Sequence, residues 1–288
     1  MEERFRLDES FDNFDDFLDF HFPPEGIPRG WTPPPNNSFG FSCQEFEPRK
    51  VLNVLTLGDS CTEASNYDRK IRYPGIMTDK LSDYFGVEVA DWNLGLGGGS
   101  FDFISRTLVC GVNTLKPDLV VITFPTMIRR ELFKYNGRRL RVDVSTAEAV
   151  NTGRVTPADP TSLKYYKLWP SLDSQFDDVV NAIKNFKIIE HVMDQSEIPW
   201  GYCFNNYYDW VEQSRGFRDR GWFNQANYLG FDFDIIDNVS DTDVHPGLRS
   251  HKKYGENLFK WALDNYGNQL SARIRARVTD EKINCEIL

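Results

Sequence analysis

Ser60, His245 and a glycine-rich loop between them in the chain carry the chemistry that this sequence offers. Ser60 follows Gly58-Asp59 at the end of an apolar run, Val51 to Leu57. Gly58 permits a sharp turn, and Thr62 and Glu63 suit the first turn of a helix, so the serine is mounted where a strand gives way to a helix. A serine hydroxyl is a weak nucleophile at neutral pH and needs a base within reach and donors for an oxyanion. Of the 4 histidines, His21 lies near the N-terminus, His191 at a helix end and His251 inside a closing helix. His245 alone stands in a loop between carboxylates, where Asp241 or Asp243 could hold the imidazole tautomer and stabilise its cation. The stretch Asn93 to Ser100, with Gly95, Gly97, Gly98 and Gly99, lets backbone amides approach an anion closely. Such a loop also suits dinucleotide binding, but no acidic residue ends the next strand. No lysine and serine or threonine follow the glycines, which excludes a P-loop.

The elements that must position these groups alternate between strand and helix, which predicts a parallel sheet with helices on its faces. Five strands are expected: Leu52 to Leu57, Glu88 to Asn93, Leu119 to Phe124, Trp200 to Asn205 and a weak fifth over Phe231 to Ile236. Helices are expected over Tyr73 to Phe85, Phe101 to Leu115 and Ser250 to Tyr266. Another over Ser174 to Gln195 has Phe176, Val179, Val180, Ile183, Phe186 and Ile189 on one face. Residues 134 to 170 have poor periodicity and turn formers such as Asn136-Gly137, and read as an inserted hairpin or lid.

The chain divides into an acidic, aromatic and Pro-rich arm over 1–49, a globular domain over 50–266 and a tail over 267–288. Five phenylalanines of the arm, Phe11 to Phe22, are too many for a freely solvated tail, so it is expected to pack on the domain or on a partner protein, self-association included. At 288 residues with 40% hydrophobic content the chain is long enough for a large core. A net charge of -10 argues against nucleic acid and anionic membrane as partners and leaves a small or neutral substrate. The 5 cysteines form no Cys-x-x-Cys pair, so neither a zinc site nor a disulfide scaffold is suggested, and no metal or cofactor is called for. The N-terminus lacks an apolar signal core and no segment reaches membrane-spanning length, so a cytoplasmic location is expected.

Three blocks in this order resemble the SGNH, or GDSL-type, hydrolase family of esterases and lipases. They are Leu57 to Glu63 around Ser60, Asn93 to Gly98, and His245-Pro246 before the closing helix; the resemblance covers roughly residues 50 to 266. It implies a three-layer α/β/α fold of flavodoxin-like type with a central parallel five-stranded sheet. It also implies a Ser60 nucleophile, a His245 base and an oxyanion hole built from the Ser60 and Gly98 amides. The expected activity is hydrolysis of an acyl ester, such as an acetyl group on a carbohydrate. The alternatives are an acyltransferase, or a non-catalytic binding module on the same scaffold. Tryptophans and tyrosines such as Trp92, Trp169, Trp200, Tyr207, Tyr208, Trp210 and Trp222 are available to line a sugar platform.

The sequence departs from the family pattern at two places. The asparagine that the third block usually supplies to the oxyanion falls near Met127, and a thioether cannot donate a hydrogen bond. One such donor is worth about 3 kcal/mol of transition-state stabilisation. Thr126, Arg129 or Arg130 could take its place, and an arginine would also attract an anionic substrate. The family's usual acid, three residues before the histidine, is Thr242 here; Asp243 is preferred over Asp241 because it reaches Nδ1 through a turn.

Overall fold

The computed structural model describes residues 37–47, 51–134, 139–157, 160–206 and 210–286. Its centre is a parallel sheet made of β1 (Leu52–Leu57), β2 (Val89–Asn93), β3 (Leu119–Phe124) and, later in the chain, β6 (Trp200–Phe204), in the order β2-β1-β3-β6. Every residue of these four strands is buried, as expected where helices cover both faces. Alternate residues serve opposite faces. Val120, Ile122 and Phe124 of β3 pack with α3 (Phe101–Leu115) and α6 (Gln175–Ser196). Leu119 and Val121 pack with α2 (Tyr73–Phe85) and α8 (Leu248–Glu286). The chain runs from β1 outward to β2 and then returns to β3 on the other side of β1. That reversal opens a crevice beyond the carboxyl ends of β1 and its neighbours.

The sheet has four strands, not five. Of residues 231 to 236, Phe233 forms an isolated bridge with Asn205 just past β6, and another isolated bridge, Tyr202 to Tyr228, lies ahead of that stretch. The carboxylate of Asp232 accepts the Phe204 amide at 3.0 Å, so a side chain takes a donor that a fifth strand would use. Arg215 pairs with the same carboxylate at 2.8 Å.

Two helices also differ from their periodicity. On α6, Phe176 and Val180 are exposed, whereas Asn181, Asn185, Phe186 and Ile189 are buried. Both asparagine amides donate to Asp102 of α3, at 2.9 and 3.0 Å, which rotates the helix away from its most apolar stripe. The closing helix continues well past Tyr266, burying Leu270 and Ile274. Its Arg277 makes a two-pronged contact with the buried Asp118 carboxylate, at 2.7 and 2.8 Å, which also accepts the β1 amide of Asn53. A buried carboxylate needs such a cation, and the extended helix supplies it.

The insertion starts earlier than expected, at β4 (Arg130–Phe133), which pairs antiparallel with β5 (Arg139–Val142). Two further helices follow, α4 (Val144–Asn151) and α5 (Leu163–Leu172), with Val142, Ala147 and Trp169 as a small core of their own. Glu131 ties the hairpin down by accepting from Arg106 at 2.8 Å and Arg139 at 3.2 Å. The Asn136-Gly137 turn lies outside the described residues. So do the arm's acidic aromatic stretch, Phe11 to Phe22, and its Pro-rich run. The end of the arm that is described packs on the domain, with Phe41 and Cys43 buried and Phe46 edge-on to Trp92 at 6.1 Å. Among the described residues no helix is long and apolar enough to cross a membrane.

Candidate active site

Ser60 opens a four-residue helical turn, α1 (Ser60–Glu63), directly beyond β1. A Cβ at Gly58 would overlap the Thr62 hydroxyl and lie 2.9 Å from the Thr123 carbonyl, so only glycine lets the chain turn here. Asp59 caps the turn: its Oδ1 accepts the Cys61 amide at 3.0 Å. Its Oδ2 accepts from Arg129 Nη1 at 2.6 Å, and Asn205 at the end of β6 donates to Cys61 Sγ at 2.9 Å. The serine is therefore seated by contacts from the ends of three strands. Burial alone would lower the Arg129 guanidinium, but the Asp59 carboxylate reverses this and holds it above its usual value.

The glycine loop is stitched to the same turn. Asn93 donates to the Thr62 carbonyl at 2.7 Å and accepts the Gly95 amide at 2.8 Å. The Gly97 amide donates to Glu63 Oε2 at 2.6 Å, and the Leu96 amide to the Gly58 carbonyl at 3.2 Å. Burial raises the Glu63 carboxyl, and the Gly97 bond partly offsets this. Gly98 has φ of +64°, a left-handed conformation that favours glycine. Among the described residues neither the Ser60 amide nor the Gly98 amide donates to another protein group.

His245 comes to Ser60 from a separate loop, ahead of α8. Its Nε2 lies 3.0 Å from Ser60 Oγ, and its Nδ1 lies 2.6 Å from Asp243 Oδ1. The same carboxylate oxygen accepts the His245 backbone amide at 3.0 Å. These two bonds, backbone first, hold the Asp243 carboxyl below its usual value. Asp241 is exposed and makes no hydrogen bond to His245. The loop is pinned at its base by Asp237, which accepts the Arg249 and Ser250 amides and so caps α8.

A cavity of about 420 Å³ opens on Ser60 and His245. Gly97, Gly98 and Arg129 line it, as do Arg141, Asp143 and Thr146 from the insertion and Tyr67 and His251 opposite. Thr126 and Arg130 are not among the lining residues: the Thr126 hydroxyl accepts the Ile128 amide at 3.4 Å, and Arg130 pairs with Asp177 at 2.5 Å. Met127 is buried in the core and does not face the cavity. Of the expected aromatics, Trp92, Trp169 and Trp200 are core residues, and Trp222 is half exposed but does not line the cavity. Tyr207, Tyr208 and the Trp210 side chain lie outside the described residues. Among the described residues no cluster of histidine, cysteine, aspartate or glutamate could hold a metal ion.

Sequence reasoning misses Arg141 and His251. The alternation Arg139-Leu140-Arg141-Val142 does signal a strand with one cationic face, but not what that face meets. His251 is a helical residue by pattern, yet its Nδ1 accepts the Tyr73 amide at 3.4 Å and its ring borders the cavity. Burial pushes it down to about 4, so it is neutral and its second nitrogen carries the proton.

No family model matches the chain, and no curated protein matches it. Solved structures similar to it include a lipase from a goat rumen metagenome, 14% identical with a TM-score of 0.45, covering 73% of this chain and 97% of the lipase. A family 3 carbohydrate esterase from Clostridium thermocellum is 16% identical with a TM-score of 0.40, covering 74% of this chain and 96% of that one. An acetylxylan esterase from Geobacillus stearothermophilus is 13% identical with a TM-score of 0.38, covering 74% and 93%. These likenesses are loose, and what the site can do follows from its own side chains.

Proposed function

We propose that this chain is a serine esterase that removes a short acyl group, acetyl foremost, from a polar alcohol such as a carbohydrate. The observation that carries this reading is the hydrogen-bonded row Ser60, His245, Asp243, of which Ser60 and His245 line one cavity. In the mechanism, Ser60 Oγ attacks the ester carbonyl carbon while its proton passes to His245 Nε2. Asp243 holds Nδ1–H and stabilises the imidazolium. The Ser60 and Gly98 amides receive the oxyanion. As the tetrahedral intermediate collapses, the carbon–oxygen bond to the alcohol breaks and His245 returns the proton to the leaving oxygen. A water then attacks the acyl-enzyme, giving its proton to His245, and Ser60 leaves with that proton as the free acid departs.

The cavity wall supports a small acyl group on a polar alcohol. Besides Ser60 and His245 it presents Glu63, Asn66, Tyr67, Arg141, Thr146 and His251, with Ala64, Val239 and Pro246 as its apolar side chains. Hydrolysis should therefore be measured on acetylated sugars alongside p-nitrophenyl esters of increasing chain length. Release of acetate that disappears in Ser60→Ala is the expected result. Well-folded protein that hydrolyses no ester of the panel would instead favour a binding module on this scaffold.

A further inference from the structure

Arg141 reaches from β5 to the glycine loop, where its Nη1 donates to the Gly97 carbonyl oxygen at 2.5 Å. Its guanidinium also lies across Gly98, so closely that a Cβ there would overlap it. The Gly97 carbonyl and the Gly98 amide belong to one peptide group, and in a trans peptide the C=O and N–H point in opposite directions. A cation bonded to the carbonyl thus fixes the plane and aims the N–H away from itself. It also draws electron density out of the peptide, making the N–H a stronger donor. The preceding peptide is held independently, by Glu63 on the Gly97 amide.

The geometry points to Arg141 as a positioning residue that orients and strengthens the Gly98 amide for the oxyanion, acting through the peptide between Gly97 and Gly98. The inference rests on the esterase reading above. It accounts for how a site with Met127, buried, in place of the usual asparagine holds negative charge: the insertion contributes a cation behind an existing donor. Asp143 and Glu63 lie near the guanidinium, so its charge is balanced in the resting site. Burial and the neighbouring Arg129 both lower its hold on a proton, and Asp143, Tyr166 and Glu63 partly offset this.

The test compares wild type, Arg141→Met and Arg141→Lys on a neutral acetyl ester, with thermal unfolding in parallel. In Arg141→Met, kcat is expected to fall about 10- to 100-fold, less than for losing a direct donor, with KM changed by under about threefold. Affinity for a trifluoromethyl ketone, whose hemiketal oxyanion mimics the intermediate, should fall by a similar factor, and added guanidinium should restore part of kcat in Arg141→Ala. A merely structural role would move none of these selectively. Unchanged kcat in Arg141→Met, or a raised KM with kcat intact, overturns the inference while leaving the esterase reading standing. Absence of ester hydrolysis by the wild type removes both. If Arg141→Met does not fold, Arg141→Gln, which keeps a donor but carries no charge, decides: ketone affinity and kcat equal to wild type would overturn the inference, whereas Arg141→Lys, which keeps the cation, is expected to retain part of both.

Discussion

The Ser60 turn and the His245 loop meet at one hydrogen bond, yet they are built in opposite ways. Asp59, Cys61 and Thr62 are 2%, 2% and 0% exposed and are held by groups from β2, the segment after β3 and the end of β6. The side chains of His245 and Asp243 are 44% and 34% exposed, and their loop is held mainly by its own short-range bonds and by Asp237 at the end of α8. The turn that carries Ser60, the proposed nucleophile, is thus part of the core, whereas His245, the proposed base, is presented by a surface loop. Damage to the first should register as lost stability, and damage to the second as lost turnover.

The largest expected effect lies in the loop. Asp243→Asn should lower kcat by about 10⁴-fold, through loss of the correct imidazole tautomer, with little change in unfolding. Steady-state kinetics together with urea unfolding would measure both, and a large loss of stability would break the contrast. On the core side, Arg129→Met leaves the Asp59 carboxylate buried without its cation. Stability is expected to fall by about 3–5 kcal/mol, read as a lower denaturant midpoint with an unchanged slope. A midpoint equal to wild type would mean that the turn does not depend on this pair.

The third effect links the two regions through His251, which sits one turn into α8 beneath the loop and stacks on Tyr73. Its folded value of about 4 lies below the unfolded value near 6.5, because burial disfavours the cation. Between those values the unfolded chain binds a proton that the folded chain refuses. The contribution is fully present above pH 6.5 and is lost as pH falls toward 4, by on the order of 3 kcal/mol. Unfolding free energies from urea titrations at pH 7 and pH 4 should fall by about this much more in wild type than in His251→Asn. Parallel curves would remove His251 as the cause.

Much of the architecture is legible in the sequence, for physical reasons. Strands β1 and β3 are mainly apolar runs ended by turn formers, and α2 and α3 stop where Gly86 and Lys116 take left-handed conformations. Local pattern fails where a distant group decides the outcome. Asn181 and Asn185 are buried because Asp102, about 80 positions away, takes their amides, and α8 runs on because Asp118 needs Arg277. The fifth strand is absent because Asp232 uses its carboxylate on β6. At the site, Ser60, Gly98 and His245 are marked by rare residues in special contexts, and Asp243 by adjacency to the histidine. Arg141 is not, since its meaning depends on a hairpin folding back onto the glycine loop.

The most direct measurement is covalent labelling of the full chain with a fluorophosphonate, with the adduct located by peptide mass spectrometry. A single adduct on Ser60 that is lost in His245→Ala is the expected result. Folded wild-type protein that takes no label, or takes it on another residue, would contradict the assignment of Ser60 as an activated nucleophile.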